Sequence, residues 1–308
     1  MTNLINLIES AFAFGQGRSK NAHWPSEATA CPRQVVYRWR GLSESNPIDP
    51  TGWWRIKLGD SIHELCQSTL HEIEDDPERK AALAWENFHV DTEVKSGKIN
   101  VDGLDYPISY RLDLLFTDND GIQAIGEFKT VFGMAMKAIK ENGPKDNALG
   151  QTLIYCKLSG IRRAYIMYVS RDNADRVLFV LDHVFEKEGE EEKEKGWSLS
   201  RMFSSGEQEV IRRFSPAIWD NAIAKFRFIE DCVKSETLPE RPYLVAIKNG
   251  EIKDKFTKNK VEYKSDWHCT YCSFLSKCWG ERAASYAESD NSLDFAKSGG
   301  SDKDLEQF

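Results

Sequence analysis

The chain has 308 residues, of which 41% are hydrophobic and 29% charged, the balance of a soluble globular protein with room for a sizeable core. Its net charge of −8 argues against indiscriminate nucleic-acid binding while leaving room for a local basic groove, and no run of about 18 apolar residues offers a membrane span. Seven cysteines and no recognisable secretory leader suggest a reducing, cytoplasmic compartment, where clustered cysteines serve metal or cluster ligation rather than disulfides.

Residues 1–17 lack a basic n-region and carry Glu9 within their apolar stretch, so they read as a helix and not as a signal peptide. Cys31-Pro32 opens the next helix, Arg33 to Arg40, because proline fits a first helical turn. Arg33, Arg38 and Arg40 interleave there with Tyr37 and Trp39. After a loop at Asp49-Pro50-Thr51-Gly52, residues Trp53 to His71 show the spacing of a long amphipathic helix, with Ile56, Ile62, Leu65 and Leu70 apolar and His63 inside it.

From Phe88 to Thr130 the period falls towards two, which predicts an antiparallel meander of consecutive short strands. Its last two strands, Tyr110–Thr117 and Ile122–Thr130, flank the turn Asp118-Asn119-Asp120-Gly121, whose residues tolerate positive φ. Period two puts Glu127 and Lys129 on one face and Phe128 on the other. Helices follow over Ala135–Lys140 and Ala148–Leu158, split by Asn142-Gly143-Pro144. Gln151 and Tyr155, four apart, share a helical face.

Residues 163–170 and 176–184 are two further strands, the first apolar enough to be central. The charge run Glu186–Lys195 reads as a solvated loop or helix end. Phe214–Lys234 is a helix, and Asn249–Lys264 a surface hairpin or loop. The tail from Ser289 has the composition of a disordered segment, leaving residues 1–288 as one domain.

If the hairpin brings Asp113 to the face of Glu127 and Lys129, two carboxylates and an ammonium converge. Hard cations such as Mg²⁺ and Mn²⁺ take oxygen ligands, and a divalent cation reconciles carboxylates with an anionic phosphodiester. On those three residues alone, an exposed strand with a Glu–Lys pair is the simpler reading. Four elements in order alter the balance: His63 in G-D-S-I-H-E, Asp113 in R-L-D, the E-F-K of Glu127–Lys129, and Q-T-L-I-Y from Gln151 to Tyr155. Together they resemble the PD-(D/E)XK nuclease superfamily in its RecB-like branch. The usual Gly-x-x-Asp wording near the first carboxylate reads Arg111-Leu112-Asp113 here.

Cys269-x2-Cys272-x5-Cys278 supplies three clustered thiols. Cys31, in its Cys-Pro-Arg setting, is similar to the first ligand of RecB-like nucleases of the AddB and CRISPR-adaptation types. These hold an iron–sulfur cluster on one N-terminal and three C-terminal cysteines. The resemblance implies a [4Fe–4S] cluster on Cys31, Cys269, Cys272 and Cys278, and structural Zn²⁺ is the alternative for four thiolates. Such a group would close the domain like a clasp. Cys66, Cys156 and Cys232 lie in apolar helices and read as core residues.

The resemblance further implies an α/β fold with a restriction-endonuclease-like core, a mixed central sheet flanked by helices, and an iron–sulfur module joining the N- and C-terminal parts. His63, Asp113, Glu127 and the backbone carbonyl of Phe128 would bind Mg²⁺ or Mn²⁺. Lys129 would be catalytic, and Gln151 and Tyr155 would position groups at the active site. The expected activity is hydrolysis of single-stranded DNA by an exonuclease, 5′→3′, in repair, recombination, CRISPR adaptation or phage DNA metabolism. Arg33, Arg38 and Arg40 are candidate DNA contacts. The alternatives are a non-cleaving nucleic-acid-binding iron–sulfur protein and a nuclease subunit of a helicase complex. The chain carries no G-x-x-x-x-G-K-[ST] loop, so a helicase or recombination motor would be a partner.

Overall fold

A computed structural model describes residues 21–83, 87–91, 96–118, 120–188, 191–248, 251–258 and 261–280. The helix expected in residues 1–17 and the tail expected to be disordered lie outside them. The chain divides into two compact units. One holds the residues up to Thr29 together with Thr51–Phe226, and the other pairs Ala30–Pro50 with the residues from Arg227 onward.

In the first unit, among the described residues, seven strands form one sheet in the order β1-β4-β5-β6-β7-β8-β9. They are β1 (His89–Val90), β4 (Leu114–Thr117), β5 (Gln123–Val131), β6 (Arg163–Ser170), β7 (Arg176–Glu188), β8 (Glu191–Met202) and β9 (Gln208–Phe214). β5 and β6 are parallel and the other pairs antiparallel, so the sheet is mixed. A parallel pair needs a long crossover, and two helices supply it: α4 (Gly133–Asn142) and α5 (Asp146–Ser159). β6 is central, as its apolar composition predicts, and alternate residues along it are buried.

The meander needs correcting. The strand expected over Tyr110–Thr117 breaks at Leu112-Asp113. Its first half, β3 (Ile108–Arg111), pairs with β2 (Ser96–Ile99) in a separate two-stranded sheet. Its second half, β4, pairs with β1 and β5. The β4–β5 ladder runs from Thr117↔Gln123 to Leu114↔Gly126 and stops there. One step further, the Asp113 carboxylate accepts the Phe128 amide at 3.0 Å in place of a strand carbonyl.

The charge run is also a correction. Within Glu186–Lys195, the described residues 186–188 and 191–195 are strand rather than loop or helix end, and there β7 and β8 pair antiparallel. Glu186 lies opposite Lys193 and Lys187 opposite Glu192, so the alternating signs complement each other across the strands.

The long helix α2 (Pro50–Glu74) crosses one face of β5 in step with it. The Arg55 guanidinium lies 5.6 Å from the Phe132 ring centre, Gly59 abuts Thr130, and the His63 and Phe128 ring centres are 6.0 Å apart. Four helical residues advance about 6 Å and two strand residues about 6.6 Å, so the two elements stay matched over all three contacts. Further along α2, Cys66 and Leu70 pack on the buried cluster Phe88, Val90, Leu114 and Phe128. α5 packs against β5 and β6, and its Gln151 meets Lys129, which alternates with Phe128 onto the other face.

Gly59 sets how close α2 comes. It is buried, and a Cβ there would stand 2.9 Å from Thr130 Oγ1. Glycine to alanine in a helix interior normally stabilises by about 1 kcal/mol. That gain should appear for Gly59→Ala in a Thr130→Ala background and be offset when Thr130 is present. Denaturant unfolding of the four proteins of this double-mutant cycle reads the coupling; additive behaviour would contradict the tight contact.

The second unit contains α1 (Pro32–Trp39), two short hairpins and α7 (Trp267–Thr270). The hairpins, β10 (Ala246–Lys248) with β11 (Glu251–Lys253) and β12 (Lys255–Lys258) with β13 (Val261–Lys264), occupy the region expected to form a surface hairpin or loop. Tyr37 of α1 packs on Phe274, ring centres 5.4 Å apart, and the amides of Ser45 and Asn46 both donate to the Ser273 carbonyl.

Candidate active site and cysteine cavity

The end of the β4–β5 ladder opens the sheet between Asp113 and Glu127. Asp113 Oδ2, which holds the Phe128 amide, lies 3.5 Å from His63 Nδ1 of α2. Gln67, one turn beyond His63, donates its side-chain amide to the Asp113 carbonyl. Lys129 Nζ contacts Glu127 Oε1 and lies 3.4 Å from Gln151 Oε1. Gln151 Nε2 donates to the Tyr155 hydroxyl at 2.8 Å. Seven residues drawn from α2, β5, α5 and the bend before β4 thus form two polar groups, His63, Gln67 and Asp113 in one and Glu127, Lys129, Gln151 and Tyr155 in the other, joined through the backbone of Phe128. Gln67 was missed in the sequence, although its place four residues after His63 on the same helical face was a legible signal.

Glu127 is 1% exposed, and its Oε2 is buried with no hydrogen-bond partner among the described residues. Burial pushes its carboxyl up to about 7, Lys129 pulls it down, and the Asp113 charge adds to the rise. Burial also lowers the pKa of His63, outweighing the pull of Asp113, with Lys129 pushing the same way as burial. His63 is therefore held neutral near pH 7, the form in which imidazole ligates metals.

Among the described residues no group of three or more His, Cys, Asp or Glu side chains stands ready-made around a metal position. The protein's own donors occupy the acids: the Phe128 amide on Asp113 and the Lys129 ammonium on Glu127. The donor set nevertheless suits a hard divalent cation. It offers a neutral imidazole, a half-buried carboxylate, and a buried carboxylate oxygen with no partner. His63, Asp113, Glu127 and the Phe128 carbonyl are the residues that could hold it.

In the second unit Cys31, Cys269, Cys272 and Cys278 line one cavity, walled by Tyr37, Phe274 and Trp279. Cys31 is the N-cap of α1, with Pro32 at its first position. The Cys272 amide donates to the Cys269 carbonyl and the Cys278 amide to the Phe274 carbonyl, so short turns aim the three C-terminal thiols. Arg241 donates twice to the Cys278 carbonyl, at 2.6 and 3.0 Å, and its guanidinium lies 5.0 Å from the Trp279 ring centre. All seven cysteines are unbridged. Burial pushes the Cys269 thiol up to about 12, with Cys31, Asp266, Cys272 and Cys278 adding to the rise. Burial raises the Cys272 thiol as well, and with Cys31 and Cys278 lining the same cavity the four soft donors fit a cationic metal group, which deprotonates thiols by its own charge. Cys156 and Cys232 are buried and Cys66 is half-buried against the Phe128 cluster.

The arginines of α1 turn inward or along their own unit. Arg33 is buried and donates to the Tyr37 hydroxyl at 3.0 Å and the Pro239 carbonyl at 2.6 Å. Arg40 donates to the carbonyls of Cys232 and Thr237 at 2.8 and 2.6 Å. Arg38 is half-buried, and its charge lowers the pKa of Cys272 against the rise that burial causes.

No protein-family model matches the chain, and no curated protein matches it. A solved structure titled "Crystal structure of SSO0001" aligns with 88% of this chain and 91% of that chain, at 16% sequence identity and a TM-score of 0.43. Among the described residues no helix is long and apolar enough to cross a membrane. The architecture is that of an α/β protein with a mixed, seven-stranded central sheet flanked by helices.

Proposed function

We propose that the first unit is a divalent-metal-dependent deoxyribonuclease of the RecB-like kind with a restriction-endonuclease-like core. We propose further that the second unit carries a [4Fe–4S] cluster, or structural Zn²⁺, on Cys31, Cys269, Cys272 and Cys278. The observation that carries the nuclease reading is Glu127, a wholly buried carboxylate with one oxygen unpartnered, set between an ammonium and a second carboxylate. A purely structural ion pair would not need Asp113, His63 and Gln151 gathered around it.

When bound, a Mg²⁺ or Mn²⁺ ion supplies positive charge beside the scissile phosphate and acidifies water. The chain's residues do the rest. His63, kept neutral, and the two carboxylates offer their lone pairs. Lys129, tethered between Glu127 and Gln151, presents an ammonium that orients water and balances charge on the phosphate. Tyr155 fixes Gln151, which in turn fixes Lys129. Single-stranded DNA is the proposed substrate, degraded from an end in the 5′→3′ direction, alone or beside a helicase or recombination partner.

Purified full-length protein with Mn²⁺ should shorten labelled linear single-stranded DNA and leave circular DNA intact. Lys129→Ala should lose that activity by about a thousandfold, equivalent to about 4 kcal/mol of transition-state stabilisation, with an unchanged circular dichroism spectrum. DNA that is retarded in a gel but never shortened would instead establish the non-cleaving binder.

A further inference from the structure

A second constellation lies at the other end of the α2–β5 contact. β5 and β6 form the parallel pair of the sheet, and Phe132 and Arg171 are the first residues beyond their carboxyl ends, after Val131 and Ser170. The carboxyl ends of parallel strands are where open α/β sheets place ligands. Phe132 is 42% exposed, and two guanidiniums approach its ring, Arg171 at 4.4 Å and Arg55 of α2 at 5.6 Å. Arg171 also donates to the Arg55 carbonyl at 2.6 Å.

Two guanidiniums therefore share one patch, with a carboxylate beside Arg171. That carboxylate, Asp172, is already committed: it accepts the Gly133 amide at 3.0 and 3.2 Å and also takes the Ser170 hydroxyl. Arg171 Nε is buried and has no hydrogen-bond acceptor among the described residues. A desolvated donor left unmatched is costly, and gathering like charges adds to that. A structural clamp on Phe132 needs one guanidinium and no unmatched donor. An anion with several oxygens offsets the gathered charge, and guanidinium is the side chain that matches phosphate in a fork.

We infer that Arg55 and Arg171, ordered by Phe132, form a subsite for a backbone phosphate of single-stranded DNA, set apart from the reacting centre along α2. The inference rests on the nuclease reading for the identity of the anion. Its distance from the centre follows from α2: eight residues separate Arg55 from His63, about 12 Å along the helix. The subsite lies on the α2 side of β5, the side of His63, so it would set which phosphate of a bound strand reaches the open end of the sheet at Asp113.

The test is the salt dependence of binding, measured in chelator so that no cleavage occurs. Fluorescence anisotropy of a labelled single-stranded oligonucleotide is followed over a salt series with full-length wild type, Arg55→Gln and Arg55→Gln/Arg171→Gln. Each neutralised phosphate contributes a slope of about 0.7 in log K against log salt. The single variant should be shallower than wild type by about 0.7 and the double variant by about 1.4. Arg55 is exposed on α2, so the single variant keeps its fold and its slope is interpretable even if the double variant has a lowered thermal midpoint. Wild-type slopes in both variants would overturn the subsite and leave the nuclease reading standing, because cleavage is assayed separately. Tighter binding of an RNA of the same sequence, or equal displacement by inorganic phosphate at matched ionic strength, would overturn the assignment to a DNA strand. Absence of both binding and cleavage in wild type would overturn the two readings together.

Discussion

Glu127→Gln should abolish hydrolysis and, in the presence of chelator, make the protein more stable at pH 8 than the wild type. The two effects have one origin. Glu127 sits in a site that disfavours its charge, and its carboxyl is pushed from 4.5 to about 7 by burial first, against the pull of Lys129 and with the Asp113 charge adding to the rise. A carboxyl whose pKa is higher folded than unfolded binds more protons in the folded state between those values. Stability is therefore full below about pH 4.5 and falls as pH rises through about 7, by about 3 kcal/mol. Glutamine has no proton to lose, so its thermal midpoint should stay flat over that window while the wild type declines. Mn²⁺ at a hundred times its dissociation constant should restore about 2.7 kcal/mol to the wild type at pH 8 and little to the variant. Loss of hydrolysis should exceed about a hundredfold, since the variant removes a charged ligand from the reacting centre. Parallel midpoint curves for the two proteins in chelator would refute the account of Glu127.

Cys31→Ser should bleach the protein and loosen the second unit while sparing the first. Four-thiolate metal sites contribute on the order of 10 kcal/mol to folding, and a site short of one thiolate loses most of that. Cys269 and Trp279 of the cavity are themselves core residues, packed with Val245 and Ile247, so a change in the cavity is felt directly in the core of this unit. Hydrogen exchange should accelerate over residues 30–50 and 267–280. The amides of β5 and β6 should keep their protection, because the two units are separate compact bodies in the chain. Wild-type protein prepared anaerobically should be brown. A colourless preparation with one equivalent of zinc would replace the cluster with the zinc alternative. Unchanged exchange over 30–50 in Cys31→Ser would remove the cysteine from either site.

Much of the first unit was legible because its signals are local. The turn after β4 is closed by its own first residue: the Asp118 carboxylate accepts the amides of Asp120 and Ile122, and Gly121 adopts φ +76°. Period two placed Glu127 and Lys129 together, and period 3.6 placed Gln151 beside Tyr155. What escaped was set by partners far along the chain. Nothing within Tyr110–Thr117 announces that Asp113 will stand in for a ladder carbonyl, so the strand seemed unbroken. β8 and β9 were not anticipated, because their residues are supported by cross-strand neighbours rather than by an apolar alternation of their own. Arg33 among aromatics reads equally as a nucleic-acid contact or as a buried donor, and its acceptors, Tyr37 and Pro239, could be seen only in the folded chain.

The matched descent of α2 along β5 also limits how the chain can change in length. Between Arg55 and His63 the helix works as a ruler whose graduations are Phe132, Thr130 and Phe128. One residue inserted there would swing everything beyond it by about 100° and carry His63 away from Asp113. One residue inserted in β5 between Phe128 and Phe132 would turn every later side chain to the opposite face. Neither element can be lengthened by itself. The compensated edit adds four residues to the helix and two to the strand, so insertions and deletions in proteins built on this plan should fall outside 55–63 and 127–132 or arrive in that four-to-two proportion.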